Sequence, residues 1–446
     1  MNRNRTRTRI LTPARGAFTG ARAHTEARAL TGARPGPGTR RLVTATAAAA
    51  LTVLCLPAAP AAADTPGQCT FPAEPYEGRP WALQRVLLDE VWKQSTGKGV
   101  RVAVIDTGVD VRHPQLKAAV DTKSGVNLIP KDAKDEHGNK VDRGKEDGTT
   151  DTVGHGTKVA GIIAARPAPG TGFVGLAPDA TIIPIQQNDA TGNGTAKTLA
   201  TAIQHAIDEK ADVINISQDT ANAIEPTPLL KQAVQKALDA EIVVVASAGN
   251  DGIDGTDKKT YPASYEGVLA VAASDRNNER AAFSQSGDFV GIAAPGVDMI
   301  TTVPGGGHCA DNGTSFSAPY VAAVAALVKA KHDDWTQEQI VAQLQQTAER
   351  SVAGHDRLVG WGVVDPVRAL TEDDKPLEAP VAHEGVTKAE PPTPAALHLG
   401  ETPEQRDARL ATYVVVGGGV LVAAIAGIAV AIRDARRRGS VRTANG

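Results

Sequence analysis

The sequence predicts an α/β fold, a parallel sheet with helices on both faces, plus one C-terminal transmembrane helix. Three observations carry this. Along residues 100–370, short runs of β-branched apolar residues alternate with segments of helical period, which is the pattern of strand–helix–strand units. Aromatic residues make up only 3% of the chain, so its apolar area comes from Val, Ile, Leu and Ala, the residues of strands buried on both faces. Near the end, an uncharged apolar stretch is long enough to cross a bilayer.

In chain order, residues 1–63 read as a signal peptide with an Arg-rich N-terminal stretch. Arg40 and Arg41 precede the apolar run Leu42 to Leu56, and Ala61-Ala62-Ala63 offers a small-residue cleavage site before Asp64. The Arg-rich stretch is either a long positive leader or the product of a start codon placed too early. Residues 64–98 form a loop-rich N-terminal extension, in which Pro80 to Trp92 reads as a short helix docking on the domain. Residues 99–371 hold the domain itself. Its strands are expected at Val100–Ile105, Thr181–Ile185, Asp212–Ile216, Ile242–Ala246, Val268–Ala273 and Phe289–Ala293. Helices are expected at Leu199–Glu209, Leu229–Ala240 and Ser315–Lys331. Residues 372–410 are rich in Pro and acids and poor in large apolar residues, the composition of a semi-extended linker. Residues 411–432 form the transmembrane helix and 433–446 a basic tail. Arg433, Arg436, Arg437 and Arg438 follow the span at once, which places that tail in the cytoplasm and the domain outside the cell membrane.

The formal net charge of −3 gives no reason to expect a nucleic-acid partner. Of three cysteines, Cys55 falls in the leader, which leaves Cys69 and Cys309. An even pair in an exported chain favours a disulfide; two separate thiols are the alternative. Cys/His spacing of a zinc site is absent, and neither a metal nor a cofactor is expected. Residues 121–152 are a polar insertion. Asp132, Asp135, Glu136, Asp142, Glu146 and Asp147 are either oxygen ligands for a cation or the charges of a solvated loop.

Three segments carry candidate chemistry. In Val104-Ile105-Asp106-Thr107-Gly108-Val109-Asp110 a carboxylate ends a buried strand, the edge at which α/β sites form. In Asp151-Thr152-Val153-Gly154-His155-Gly156-Thr157-Lys158-Val159-Ala160-Gly161 a Gly-flanked His opens an apolar helix. In Asn312-Gly313-Thr314-Ser315-Phe316-Ser317-Ala318-Pro319 a Ser opens a long one. A Ser hydroxyl needs a base within reach to act as a nucleophile. A His supplies it, provided a carboxylate fixes its tautomer. A Ser at a helix N-terminus also turns its own N–H towards a developing oxyanion. Ser247-Ala248-Gly249-Asn250 offers the Asn250 amide as a second donor. Each segment alone has a plain structural reading as a turn or cap; their conjunction, in order, is what points to a site.

The motifs V-I-D-T-G-V-D, G-H-G-T-K-V-A-G, S-A-G-N and N-G-T-S-F-S-A-P resemble those of the subtilisin-like serine protease family. The resemblance spans residues 80–370. It implies Asp106, His155 and Ser315 as catalytic triad, Asn250 as oxyanion donor, and a protein or peptide substrate. A narrower resemblance is to the mycosins, membrane-anchored subtilisin-like proteases that accompany type VII secretion systems. A C-terminal span after a Pro-rich linker supports it, as does a short Cys-containing extension in place of a folded pro-domain. It implies a type VII secretion membrane complex as partner, and with it a second role as a scaffold of that complex. The Cys69–Cys309 disulfide would then tie the extension to the loop before Ser315. Two positions depart from the family pattern. Ser217 is followed by Gln218 and Asp219 where many relatives carry Gly; the acid either favours basic substrate residues at the cleft edge or marks a reshaped segment. Lys158 stands where secreted enzymes often carry His.

Overall fold

The computed structural model describes residues 69–134, 137–188, 194–217, 227–255, 257–382 and 403–442. Residues 1–68 (the expected signal peptide among them), Asp135, Glu136, Gln218, Asp219 and most of the expected linker lie outside them. Within the domain, β1 (Arg101–Asp106), β2 (Val126–Asn127), β3 (Thr181–Gln186), β4 (Val213–Ile216), β5 (Val243–Ser247), β6 (Leu269–Ser274) and β7 (Val290–Pro295) form one parallel sheet. Their order is β2-β3-β1-β4-β5-β6-β7. A separate antiparallel hairpin joins β8 (Met299–Thr302) to β9 (His308–Asp311).

Alternation along the strands divides the core in two. Val102 and Val104 of β1 join one apolar cluster with Val213, Val243 and Val245, while Ala103 and Ile105 join the other with Ile183, Ile185 and Ile214. This is the two-sided burial of a parallel sheet. On the first face lie α3 (His155–Ala164) and α6 (Thr314–Lys331); on the second lie α4 (Ala196–Asp208) and α5 (Pro228–Asp239). From Thr314 to Val328 every residue of α6 is buried, so this helix runs through the interior and is apolar all round. Thr195 and Thr227 cap α4 and α5 by accepting from the N–H groups of Thr198 and Leu230. Two helices without a sequence expectation, α7 (Gln337–Gln346) and α8 (Pro366–Thr371), complete the domain.

The extension differs from expectation. Pro80 to Trp92 is not one helix but two, α1 (Trp81–Gln84) and α2 (Leu88–Gln94), broken where Arg85 to Leu87 turn the chain. Both are nailed down by polar tips of aromatic side chains. Trp81 Nε1 donates to the Val297 carbonyl and Trp92 Nε1 to that of Leu176, each at 2.9 Å. At the other end the helix α9 (Pro403–Arg442) begins inside the expected linker and continues into the basic tail. Its apolar stretch is exposed and long enough to cross a membrane. In the insertion, Glu146 pairs with Arg143 and Asp147 accepts from Thr149. No group of three metal-ligating side chains converges among the described residues.

Ahead of α1, the extension lies along the loop into β9. Cys69 is disulfide-bonded to Cys309, Ala73 N–H donates to the Gly306 carbonyl (3.0 Å) and His308 N–H to that of Glu74 (3.1 Å). Two buried rings complete this seam. Gln115 Nε2 donates to the Arg166 and Phe173 carbonyls, which turns its Oε1 towards His308 Nε2 at 2.8 Å. His308 Nδ1 must then accept from Tyr76 N–H (3.1 Å). His113 Nδ1 accepts from Gln115 N–H, and its Nε2 donates to the Gly307 carbonyl (3.0 Å). Both rings are thereby held neutral, and neither has a free lone pair for a proton. Burial pushes both below the ordinary histidine range, His308 to about 4 with His113 beside it opposing a second charge. Asp110 is the charged group that favours protonation of His113, and it is outweighed.

A released extension frees these rings to bind protons below about pH 6.5, whereas the docked His308 resists until about 4. The stabilisation is therefore complete above about 6.5 and drains away as the pH falls towards 4. With the disulfide intact, the melting temperature and the protection of the Tyr76 amide from hydrogen exchange should fall as the pH drops across that window. His308→Gln should flatten the slope. A slope unchanged by His308→Gln would show that the ring is not its source.

Candidate active site

The site begins at a reversal in the sheet. β1 has β3 on one side and β4 on the other, so the chain diverges at its C-terminal end and leaves a crevice there. Asp106 closes β1 and is wholly buried. Its Oδ1 accepts from Thr107 N–H at 2.7 Å. His155, the first residue of α3, places Nδ1 2.8 Å from Asp106 Oδ1 and 3.0 Å from Oδ2. A buried carboxylate accepts, so Nδ1 carries the proton and Nε2 keeps its lone pair free for a substrate-side proton. The His155 side chain retains 27% of its exposure, with its partner at zero: one edge of the imidazole faces the crevice.

A second buried acid holds this geometry. Asp151 Oδ1 accepts from Thr107 Oγ1, Val153 N–H and Gly154 N–H, and its Oδ2 from the N–H and hydroxyl of Thr157, at 2.6–3.1 Å. Burial holds its carboxyl above the usual range, against the pull of the Thr157 and Gly154 donors. Thr107 Oγ1 in turn accepts from Gly156 N–H (2.9 Å). One hydroxyl thus ties the end of β1 to both sides of His155. Gly154 takes φ +90°, a left-handed conformation that fits glycine, and a Cβ there would press on Phe71 of the extension. At Gly156 a Cβ would collide with the Gly108 carbonyl.

Ser315 is the second residue of α6, so its N–H belongs to the first turn, ahead of Phe316 N–H, which donates to the Gly313 carbonyl. The turn ahead of it is fixed by Asn250, whose Oδ1 accepts from Thr314 N–H (2.9 Å) and Thr314 Oγ1 (3.0 Å). With that oxygen engaged, Asn250 Nδ2 lies beside Gly313, 3.6 Å from where a Cβ would stand. From the Ser315 helix, the Phe316 ring reaches His155, with ring centroids 5.5 Å apart. The structure thus brings Asp106 to His155 by hydrogen bonds, and Asn250 to the Ser315 turn. Among the described residues the His155 ring hydrogen-bonds to Asp106 and not to Ser315. Thr107, Asp151 and Phe316 were not singled out from the sequence. Their signal was positional: a Thr directly after the strand carboxylate, an acid four residues before a Gly-flanked His, and an aromatic directly after the Ser.

Charge around the imidazole works in two directions. Burial alone would lower His155. The Asp106 charge and hydrogen bond, with Asp151 behind, outweigh it and hold the ring above its ordinary value, while Lys158 opposes them.

Residues 97–362 match the model of the subtilase family of peptidases. The chain belongs to the subtilase family. Subtilisin E of Bacillus subtilis is 36% identical over 288 residues, 64% of this chain and 70% of that protein. Among solved structures, MycP1 with its N-terminal propeptide removed is 34% identical and aligns at a TM-score of 0.56, over 66% of this chain and 97% of that one. The MycP3 protease from the type VII (ESX-3) secretion system is 32% identical with a TM-score of 0.56, over 69% and 100%. The protein is a subtilisin-family serine protease related to these MycP proteases.

In this subtilase, Thr107→Val deletes a hydrogen bond to Asp151 and strands the Gly156 N–H. Leaving buried polar groups unpaired costs about 1–3 kcal/mol, so melting should drop. Proteolytic turnover should drop further than stability accounts for, because His155 loses its anchor. Thr107→Ser should recover both. A Val variant with wild-type kcat would remove the hydroxyl from the account.

Proposed function

We propose that this subtilase is a membrane-anchored endopeptidase that cleaves protein or peptide substrates outside the cytoplasm through an acyl-enzyme at Ser315. The observation that carries the proposal is the hydrogen bond from His155 Nδ1 to a wholly buried Asp106 carboxylate, which leaves Nε2 as the base. Ser315 Oγ attacks the scissile carbonyl as Nε2 takes its proton. The tetrahedral oxyanion is met by the Ser315 N–H at the start of α6 and by Asn250 Nδ2. His155 then gives the proton to the leaving amine, the acyl-enzyme forms, and water repeats the sequence with His155 again as base. Asp106 orients the ring and stabilises the imidazolium.

Anchoring is proposed from α9 with Arg433 and Arg436 at its far end, the domain outside and the tail in the cytoplasm. The MycP relationship supports a place beside a type VII secretion membrane complex. The disulfide between Cys69 and Cys309 fits an oxidising compartment.

Ser315→Ala should abolish peptide hydrolysis while leaving the melting curve intact. Asn250→Ala should lower kcat by about 10²–10³-fold. His155 works as a base only when neutral, and its net shift is upward, so the acid limb of kcat/KM should lie above the ordinary histidine value of about 6.5. A limb below it would contradict the Asp106 contribution. In a strain lacking the protein, failure of Ser315→Ala to restore secretion is expected of a dedicated protease; full restoration would instead assign the chain a scaffold role in the complex.

A further inference from the structure

We infer that the Lys158–Asp311 ion pair is a strut that positions His155 against the Ser315 turn. The inference rests on the reading of His155 and Ser315 given above. Lys158 follows His155 by one turn of α3, so the two side chains share a face. Asp311 ends β9, four residues before Ser315. Lys158 Nζ donates to Asp311 Oδ2 at 2.6 Å, and the lysine side chain keeps only 12% of its exposure. The same ammonium stands 6.0 Å from the centroid of the Phe316 ring, the ring that leans on His155. One cation therefore meets the helix of the base, the strand leading to the nucleophile, and the side chain between them.

The surroundings show why a strut is needed there. The first turn of α3 docks on the β8–β9 hairpin, where Thr301 Oγ1 donates to the Lys158 carbonyl (2.5 Å) and Thr302 Oγ1 to that of Thr157 (2.7 Å). Both links run from β8 to backbone. Neither reaches β9, which delivers Ser315. Lys158–Asp311 supplies that missing link with a charge-assisted hydrogen bond.

The pair also balances charge at the base. The ionisable groups that act on His155 are Asp106 from β1, Asp151 from the preceding loop and Lys158 from its own helix; α6 contributes the uncharged Phe316. Lys158→Met deletes a cation and leaves Asp311 unpaired, so the imidazole protonates more easily and the acid limb of reactivity moves up in pH. Asp311→Asn leaves the ammonium unneutralised, and the limb moves down. Loss of packing alone has no reason to move the limb in opposite directions.

The test uses the full chain in detergent and a fluorophosphonate probe, with the second-order labelling rate followed against pH. Both variants should label about tenfold or more slowly at their optima, since small misplacements of a catalytic group cost this much and beyond. Their acid limbs should separate on opposite sides of wild type, and Lys158→Arg should recover rate and limb together. Equal acid limbs, or wild-type rates in both variants, would overturn the strut. Should Lys158→Met fail to fold, Asp311→Asn and Lys158→Arg carry the same comparison. A wild type that does not label, or a Ser315→Ala variant that does, would instead refute the underlying assignment.

Discussion

A carboxylate withdrawn from water at the end of β1 must be met by donors, because an unpaired buried charge is costly. Asp106 meets the Thr107 N–H and the His155 imidazole, and the second partner fixes the rest. It sets which imidazole nitrogen carries the proton, and it requires α3 to begin where the sheet order reverses. It also brings the loop from Asp151 to Gly154 back over the strand end. Thr107 and Asp151 then act as the frame of that loop, a buried hydroxyl and a buried acid whose hydrogen bonds go almost wholly to the residues flanking His155.

Ser315 arrives from the opposite direction, at the head of a helix with no solvent-facing side until its last turn. Such a helix cannot slide or roll without disrupting packing on every side, so the position of Ser315 depends on α6 as a whole. The turn before it is set by Asn250 and by the hairpin β8–β9. That hairpin also carries the extension: the disulfide at Cys309, the seam of His113 and His308, and Phe71 lying on Gly154 all belong to one continuous region. The N-terminal segment thus braces the loops on both sides of the site, and a reduced disulfide would be felt there first.

Much of this was legible beforehand. The strands of β1, β3, β4, β5 and β6 announce themselves as Val/Ile/Ala runs, and α6 as an unbroken apolar helix, because burial on both faces admits few other residues. Asp106, His155, Asn250 and Ser315 stood out because each sits where a Gly turn meets a strand end or helix start. What did not show was cross-chain pairing between polar residues. Lys158 meets Asp311 across 153 positions and Gln115 meets His308 across 193, distances at which sequence spacing carries no information. The break between α1 and α2 was hidden for a related reason: the apolar residues from Trp81 to Trp92 suit a helix, but Trp81 and Trp92 each bond to a distant carbonyl, and tertiary demands overrode the local pattern.

The most direct measurement of the central claim is the site of covalent capture. The full chain should be treated with a fluorophosphonate at neutral pH, digested and mapped by mass spectrometry. The account predicts a single phosphonyl adduct on Ser315. It also predicts loss of that adduct in a His155→Ala variant that still melts cooperatively. An adduct on Ser317 or Ser247, or undiminished capture without His155, would contradict it.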